Sequence, residues 1–387
     1  MRLTLGMDVG AACGEAVSGV GYHIIRLLEH LDAQAPVDWR IKLVYELDSP
    51  DTARRAADRL PQRPRFELVG QPEVKSRIPL IGGWLAAGAQ ARALVALGCG
   101  LFHGPAHKLP RGLRVPGVVT IHDMAFFRFD LYEQPYLGLL RDAVRRSLRE
   151  ARAVISLSQS TARDIEEFTG RTRDVHVIYG AGNYADEARR AALESDAPAR
   201  ERLGVRSRYV FYVGDFGPRK NLPYLVESFA RLRSKRETSD VQLVLAGNSK
   251  SAKDALLQTA RDHGLPEGAV VFPGRVSDED LATLYRGASA FALASLAEGF
   301  TLVTLEAMSY GVPVVATDTT SIAEGTGDAA ELAPLDEPEA FAACLRTALT
   351  PGPRRDQMRA KGFERIKLFT WEENARRTIE VYRAAAG

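Results

Sequence analysis

The amino-acid sequence predicts an α/β protein of two Rossmann-like domains in tandem, each a doubly wound parallel sheet. Three observations point there. The chain has 387 residues, which is more than one hydrophobic core usually organises. Short β-branched runs alternate with longer stretches of helical period, as expected for parallel strands joined through covering helices. That alternation stops near residues 180–200, where the sequence turns polar and rich in Ala, Arg and Glu, and then restarts.

In the first half, residues 3–9 (LTLGMDV), 41–47 (IKLVYEL), 66–70 (FELVG), 115–123 (VPGVVTIHD) and 153–158 (AVISLS) read as strands. Helical period fits residues 18–34, 133–150 and 159–169. The segment 180–200 reads as a linker plus a helix. In the second half the strands are 208–215, 241–247, 269–274, 289–295 and 312–318. They are apolar on both sides, as strands covered on both faces should be. Helices fit 221–236, 251–263, 278–287, 302–310, 338–349, 354–368 and 371–385. Ligands of such folds bind outside the carboxyl ends of the strands, so two such domains facing each other would form a cleft between them.

Composition excludes several classes. The 51 Lys and Arg nearly cancel the 49 Asp and Glu, which argues against a nucleic-acid binder. Three scattered cysteines, with no CxxC pair, exclude a zinc ribbon or a dithiol redox centre and suit a reducing cytoplasm. The first ten residues carry no apolar leader and read as a strand. Residues 78–102 are apolar, but Pro79, Gln90, Arg92 and five glycines interrupt them, so a helix near 84–97 is expected there rather than a membrane span.

Two constellations carry chemistry. The first, Gly214-Asp215-Phe216-Gly217-Pro218-Arg219-Lys220-Asn221-Leu222, follows a strand and opens a helix. Cations are disfavoured at a helix N-terminus, so Arg219 and Lys220 together call for an anion, a diphosphate above all. Without one they would be two solvated surface cations. The second runs from Glu298 through Gly299, Phe300 and Thr301 to Glu306. It places one carboxylate in a loop and a second inside the following helix, where they could accept hydrogen bonds from sugar hydroxyls. Otherwise Glu298 is a surface loop residue and Glu306 an ordinary ion-pair partner.

Arg-Lys-Asn-Leu after a strand, then Glu-x7-Glu, then Glu-Ala-Met-x-x-Gly-x-Pro-Val-Val-Ala, resembles the retaining glycosyltransferases of family 4, which have the GT-B fold. Ser18-Gly19-Val20-Gly21-Tyr22, Phe102-His103-Gly104-Pro105, Val119-Thr120-Ile121-His122-Asp123, Ser156-Leu157-Ser158-Gln159-Ser160 and Pro273-Gly274-Arg275-Val276-Ser277-Asp278 extend the likeness over nearly the whole chain. The resemblance implies an acceptor-binding domain over 1–180, completed by the terminal helix 371–387, and a nucleotide-sugar domain over 181–370. It implies that Arg219 and Lys220 bind the donor diphosphate, that Glu298 holds donor sugar hydroxyls near the amides of Gly299, Phe300 and Thr301, and that Glu306 binds the ribose. Gly214 belongs to the phosphate-side turn. Arg275 and Val276 would line the base pocket, Gly19 and Gly21 would let the first loop approach the phosphates, and His122 would face the donor sugar unless it is a structural histidine. Thr301 stands where the family often has glycine, and its hydroxyl could cap the helix or touch ligand.

His122 and Asp123 would point to opposite faces of a continuing strand, so Asp123 would not orient His122. His103 and His107 lack metal-ligand spacing outside a helix. There is no Asp-x-Asp motif, P-loop or complete dinucleotide fingerprint. The resemblance implies retaining transfer of a hexose from a nucleotide-diphosphate sugar, and the lack of an Asp-x-Asp motif makes metal-independent, cofactor-free turnover the expectation. Residues 102–130 resemble mannosyl- and rhamnosyltransferases of bacterial surface polysaccharides. That suggests GDP-mannose as donor and a glycan or polyprenyl-linked acceptor, met in the cytoplasm or at the inner face of the membrane. Lys75, Arg77, Ile78, Trp84 and Leu85 would make the peripheral membrane contact, unless Trp84 and Leu85 are core. The alternatives are a sugar-nucleotide epimerase of the same architecture and a non-catalytic subunit that binds nucleotide sugar or glycan.

Overall fold

The computed structural model describes residues 2–47, 49–72, 91–131, 135–182, 184, 197–247 and 250–387. Lys75, Arg77, Ile78, Trp84 and Leu85 lie outside them, as does most of the helix expected over 84–97; residues 91–96, at its end, are helical. Among the described residues no helix is long and apolar enough to cross a membrane.

The chain forms two compact units. The first comprises Met1–Ala181 and Thr370–Gly387, and the second Gly182–Phe369. Among the described residues the first unit holds seven parallel strands: β1 (Thr4–Asp8), β2 (Arg40–Leu47), β3 (Phe66–Pro72), β4 (Leu101–Gly104), β5 (Gly117–Ile121), β6 (Ala153–Ser156) and β7 (Val175–Val177). Their order is β3-β2-β1-β4-β5-β6-β7. The second unit holds β8 (Tyr209–Val213), β9 (Gln242–Ala246), β10 (Val270–Gly274), β11 (Ala290–Leu293), β12 (Val314–Thr317) and β13 (Ala330–Ala333), in the order β10-β9-β8-β11-β12-β13. In each sheet the order reverses beside the first strand, at β1/β4 and at β8/β11. The crevice beyond the strand ends at such a point is where doubly wound sheets take ligands.

Three strands escape the sequence reading. β4 begins at the very end of the apolar stretch 78–102 and runs beyond it, β7 has only three residues, and β13 (AELA) has no β-branched residue. The strand expected over 115–123 ends at Ile121, so His122 and Asp123 lie in the turn beyond it. Gly19 and Gly21 occupy the first turn of the helix Gly19–Gln34, in line with the helix expected over 18–34, and the Ser18 hydroxyl accepts from the Gly21 amide at 3.2 Å. A side chain at position 21 would meet the Ala11 carbonyl oxygen at 2.5 Å, so the absence of one there serves close packing.

The terminal helix Trp371–Ala386 belongs to the first unit. Trp371, Ala375, Ile379, Val381, Tyr382 and Ala385 join a core that includes Leu5, Met7, Leu27, Leu28 and Leu31. Tyr382 is fully buried, and its hydroxyl hydrogen-bonds His103 Nδ1 at 2.7 Å while His103 Nε2 pairs with Thr120 Oγ1 at 2.8 Å. Asn374 Nδ2 donates to the Tyr179 carbonyl at 2.8 Å. Removing one partner of a buried polar pair strands the other without water. Tyr382→Phe is therefore expected to lower the stability of the first unit by about 1–3 kcal/mol, measured by urea denaturation followed in that unit.

Candidate active site

The second unit brings Arg219, Lys220 and Glu298 together. β8 and β11 run side by side, with Val210 against Ala290 and Phe211 against Phe291, so the loops leaving their carboxyl ends are neighbours. Arg219 Nη1 donates to Glu298 Oε2 at 2.6 Å, and Lys220 Nζ to Glu298 Oε1 at 2.7 Å. Ser295 Oγ also donates to Oε1 at 2.6 Å, and Arg219 Nη1 to the Ala297 carbonyl at 2.7 Å. The Lys220 and Glu298 residues are each only 9% exposed, so this is a buried ion cluster rather than a pair of solvated cations. Burial by itself would raise the Glu298 carboxyl, but Lys220 and Arg219 outweigh it and hold it down at about 2.

The helix starts one residue after the expected position, and a separate turn precedes it. Pro218–Lys220 form a single 3₁₀ turn, Asn221 takes a left-handed φ of 51°, and the α-helix begins at Leu222. Arg219 and Lys220 thus stand before the helix, and the anion beside them is Glu298. Gly214 ends the β8 exit, where a Cβ would lie 2.6 Å from the Tyr212 hydroxyl, itself bonded to the Asp215 carbonyl at 2.6 Å.

Gly299 is buried, and the Phe300 ring meets Phe369 edge-on at 5.1 Å. Thr301 is 1% exposed. Its hydroxyl pairs with that of Thr304 and caps no backbone amide of the helix Leu302–Ser309. Its methyl occupies the space a Cβ on Gly325 would need, at 2.4 Å, so a side chain fits at position 301 because position 325 has none. Glu306 lies in that helix and accepts from the buried Tyr285 hydroxyl at 3.1 Å; Tyr285 stacks on Tyr310 at 5.3 Å. Arg275 and Val276 follow β10, the former exposed and the latter half-buried. All these residues of the second unit sit in or after carboxyl-end loops of its sheet.

His122, Gly19 and Gly21 belong to the first unit. His122 Nε2 donates to the Pro105 carbonyl at 2.7 Å, which leaves Nδ1 as the acceptor in the neutral ring. The ring meets His23 at 5.1 Å and His107 at 5.3 Å. Burial lowers His122 against the opposing pull of Pro105 and Asp123. It takes His107 to about 4, His103 to about 3 and His23 well below the usual range. The array is neutral at pH 7. Asp123 Oδ1 accepts from the Ala125 amide at 3.0 Å, and its charge acts on His122 through space.

Sequence reasoning missed the hydroxyls that hold the Glu298 loop. Thr317 and Thr319 donate to the Ser295 carbonyl at 2.7 and 3.1 Å, and Ser321 donates to the Glu298 carbonyl at 2.8 Å. Thr320 contacts both the amide and the carbonyl of Glu298. The signal was the run Thr317-Asp318-Thr319-Thr320-Ser321 at the carboxyl end of an apolar strand.

A carboxyl held near 2 contributes stability that is present above its unfolded value of about 4.5 and is lost as pH falls toward 2. Glu298→Gln removes that contribution. The variant's deficit against wild type, about 3 kcal/mol near neutrality, is expected to narrow between pH 4.5 and 2 in denaturant titrations.

Two family models match the chain: Glycosyltransferase Family 4 over residues 17–181 and Glycosyl transferases group 1 over residues 207–350. The O-antigen chain mannosyltransferase B of Escherichia coli is 30% identical over 284 residues, 73% of this chain and 74% of that protein. The sucrose-phosphate synthase of Thermosynechococcus elongatus superposes with a TM-score of 0.76 at 20% identity, covering 99% of each chain. A HepE protein of Anabaena in complex with UDP and glucose superposes with a TM-score of 0.74 at 18% identity, covering 99% of this chain and all of that one. These likenesses assign the GT-B fold.

Proposed function

The chain belongs to glycosyltransferase family 4, and from that premise we propose that it moves mannose, with retention of configuration, from GDP-mannose to a hydroxyl of a glycan or lipid-linked acceptor. The observation that carries the proposal is the Arg219–Glu298–Lys220 cluster at the point where the strand order of the second sheet reverses. Two cations are fixed there, side by side, in a nearly dry setting. A diphosphate meeting them gains far more than it would in water, and charge growing on it as the glycosidic bond breaks is met without reorganising solvent. Glu298 keeps both cations oriented and offers its carboxylate edge to donor sugar hydroxyls. Glu306, carried deeper on the helix Leu302–Ser309, suits the ribose diol.

Gly214, Gly299, Phe300 and Thr301 shape the phosphate and sugar side, and Arg275 and Val276 the base side. To the first unit we assign a sugar-hydroxyl contact through neutral His122 Nδ1, and a phosphate-side role for the helix turn with Gly19 and Gly21. Arg219 and Lys220 take the part a divalent ion plays in other glycosyltransferases, so turnover needs no metal. The similarity to an O-antigen mannosyltransferase supports mannose and a surface-polysaccharide acceptor. Such chemistry takes place in the cytoplasm or at the inner face of the membrane.

Lys220→Ala is expected to lower kcat for sugar transfer by about 100-fold or more while the second unit stays folded by circular dichroism. Activity within a few-fold of wild type would remove Lys220 from the mechanism. Wild-type turnover of GDP-mannose should be unchanged by excess EDTA, and its loss on chelation, with recovery on adding back Mg²⁺ or Mn²⁺, would contradict the metal-free assignment.

A further inference from the structure

We propose that Thr320 is a positioning residue for Glu298: it fixes the glutamate's backbone, and through it the carboxylate that orients Arg219 and Lys220. The inference rests on the donor-site reading above. The Glu298 amide donates to Thr320 Oγ1 at 2.9 Å, and the same hydroxyl donates to the Glu298 carbonyl at 3.1 Å. One side chain thus holds both polar groups of the residue whose carboxylate reaches Arg219 at 2.6 Å and Lys220 at 2.7 Å. Ser321, Thr317 and Thr319 hold the same loop, but on carbonyl oxygens alone.

The backbone of Thr320 supplies a second, independent observation. Its φ is 44°, in the left-handed region. That region is uncommon for any residue except glycine, and for a β-branched one it is a genuine outlier. A turn needing only that conformation would be better served by glycine. The strain persists here in company with a hydroxyl that closes two hydrogen bonds on Glu298, and strain of this kind gathers where geometry serves function.

Three variants separate positioning from mere structure. Thr320→Ser keeps the hydroxyl, Thr320→Val keeps the shape without it, and Thr320→Gly relieves the strain while removing it. Each is compared with wild type for thermal midpoint, and for kcat and KM of nucleoside-diphosphate release from GDP-mannose, UDP-glucose and ADP-glucose with water as acceptor. Thr320→Gly is expected to melt at or above the wild-type temperature, yet to lose about tenfold or more in kcat with donor KM changed less. Thr320→Val should lose kcat similarly, and Thr320→Ser should restore it. Wild-type kcat in Thr320→Gly and Thr320→Val, or losses that merely follow a fall in folded fraction, would overturn the assignment. A wild-type protein silent toward all three donors would overturn the functional reading and this inference with it, whereas an active wild type matched by Thr320→Val overturns this inference alone.

Discussion

Two cations on consecutive residues repel each other, and burying them deepens the repulsion. The second unit depends on how that is resolved: the Glu298 carboxylate lies between Arg219 and Lys220, with Ser295 completing its hydrogen bonds. Each attraction is worth roughly 4 kcal/mol at 4 Å and an effective dielectric of 20, before the cost of desolvation. That cost is large for a buried ion, so the cluster holds only if its geometry is good. The geometry comes from the sheet. β8 and β11 are parallel neighbours although about 80 residues separate them in sequence, and both exit loops emerge at the same end. The hydroxyls after β12 then lock the backbone on which Glu298 stands.

The first unit solves a different problem with the opposite tactic. His23, His103, His107 and His122 are crowded together, and burial keeps them neutral instead of pairing them with acids. Tyr382, from the terminal helix, closes one end of this array through His103. The chain's last helix is therefore part of the frame that surrounds His122, although more than 240 residues separate them. The two units thus carry opposite electrostatic characters, a buried ion cluster in the second and an uncharged histidine array in the first.

The sequence showed the fold where a continuous apolar run stood between helical stretches, as in β8, β9, β11 and β12, and hid it where a very short strand carried a polar residue within it. β13 reads AELA and β7 is a three-residue strand, so their identity comes from pairing with a neighbour. The Arg219-Lys220 pair was visible because cations are out of place before a helix, and Glu298 was visible from its spacing to Glu306. That the three form one cluster was not visible, since only the sheet order brings residues 219 and 298 together. Thr301 in place of glycine read as a departure with two open roles. The structure gives it a partner in Thr304 and a complement in Gly325, neither of which local pattern could supply.

Thermal unfolding with saturating GDP, UDP or ADP tests the central claim most directly. It is run on wild type and on the charge-free variant Arg219→Gln/Lys220→Gln/Glu298→Gln, which leaves no buried ion alone. A ligand at about 100 times its dissociation constant adds roughly 2.7 kcal/mol of stability, enough to move the midpoint by several degrees. The account predicts that one nucleotide, GDP, raises the midpoint of wild type and not that of the variant. An equal rise in both proteins, or none in wild type with any of the three nucleotides, would contradict the assignment of this cluster as the diphosphate site.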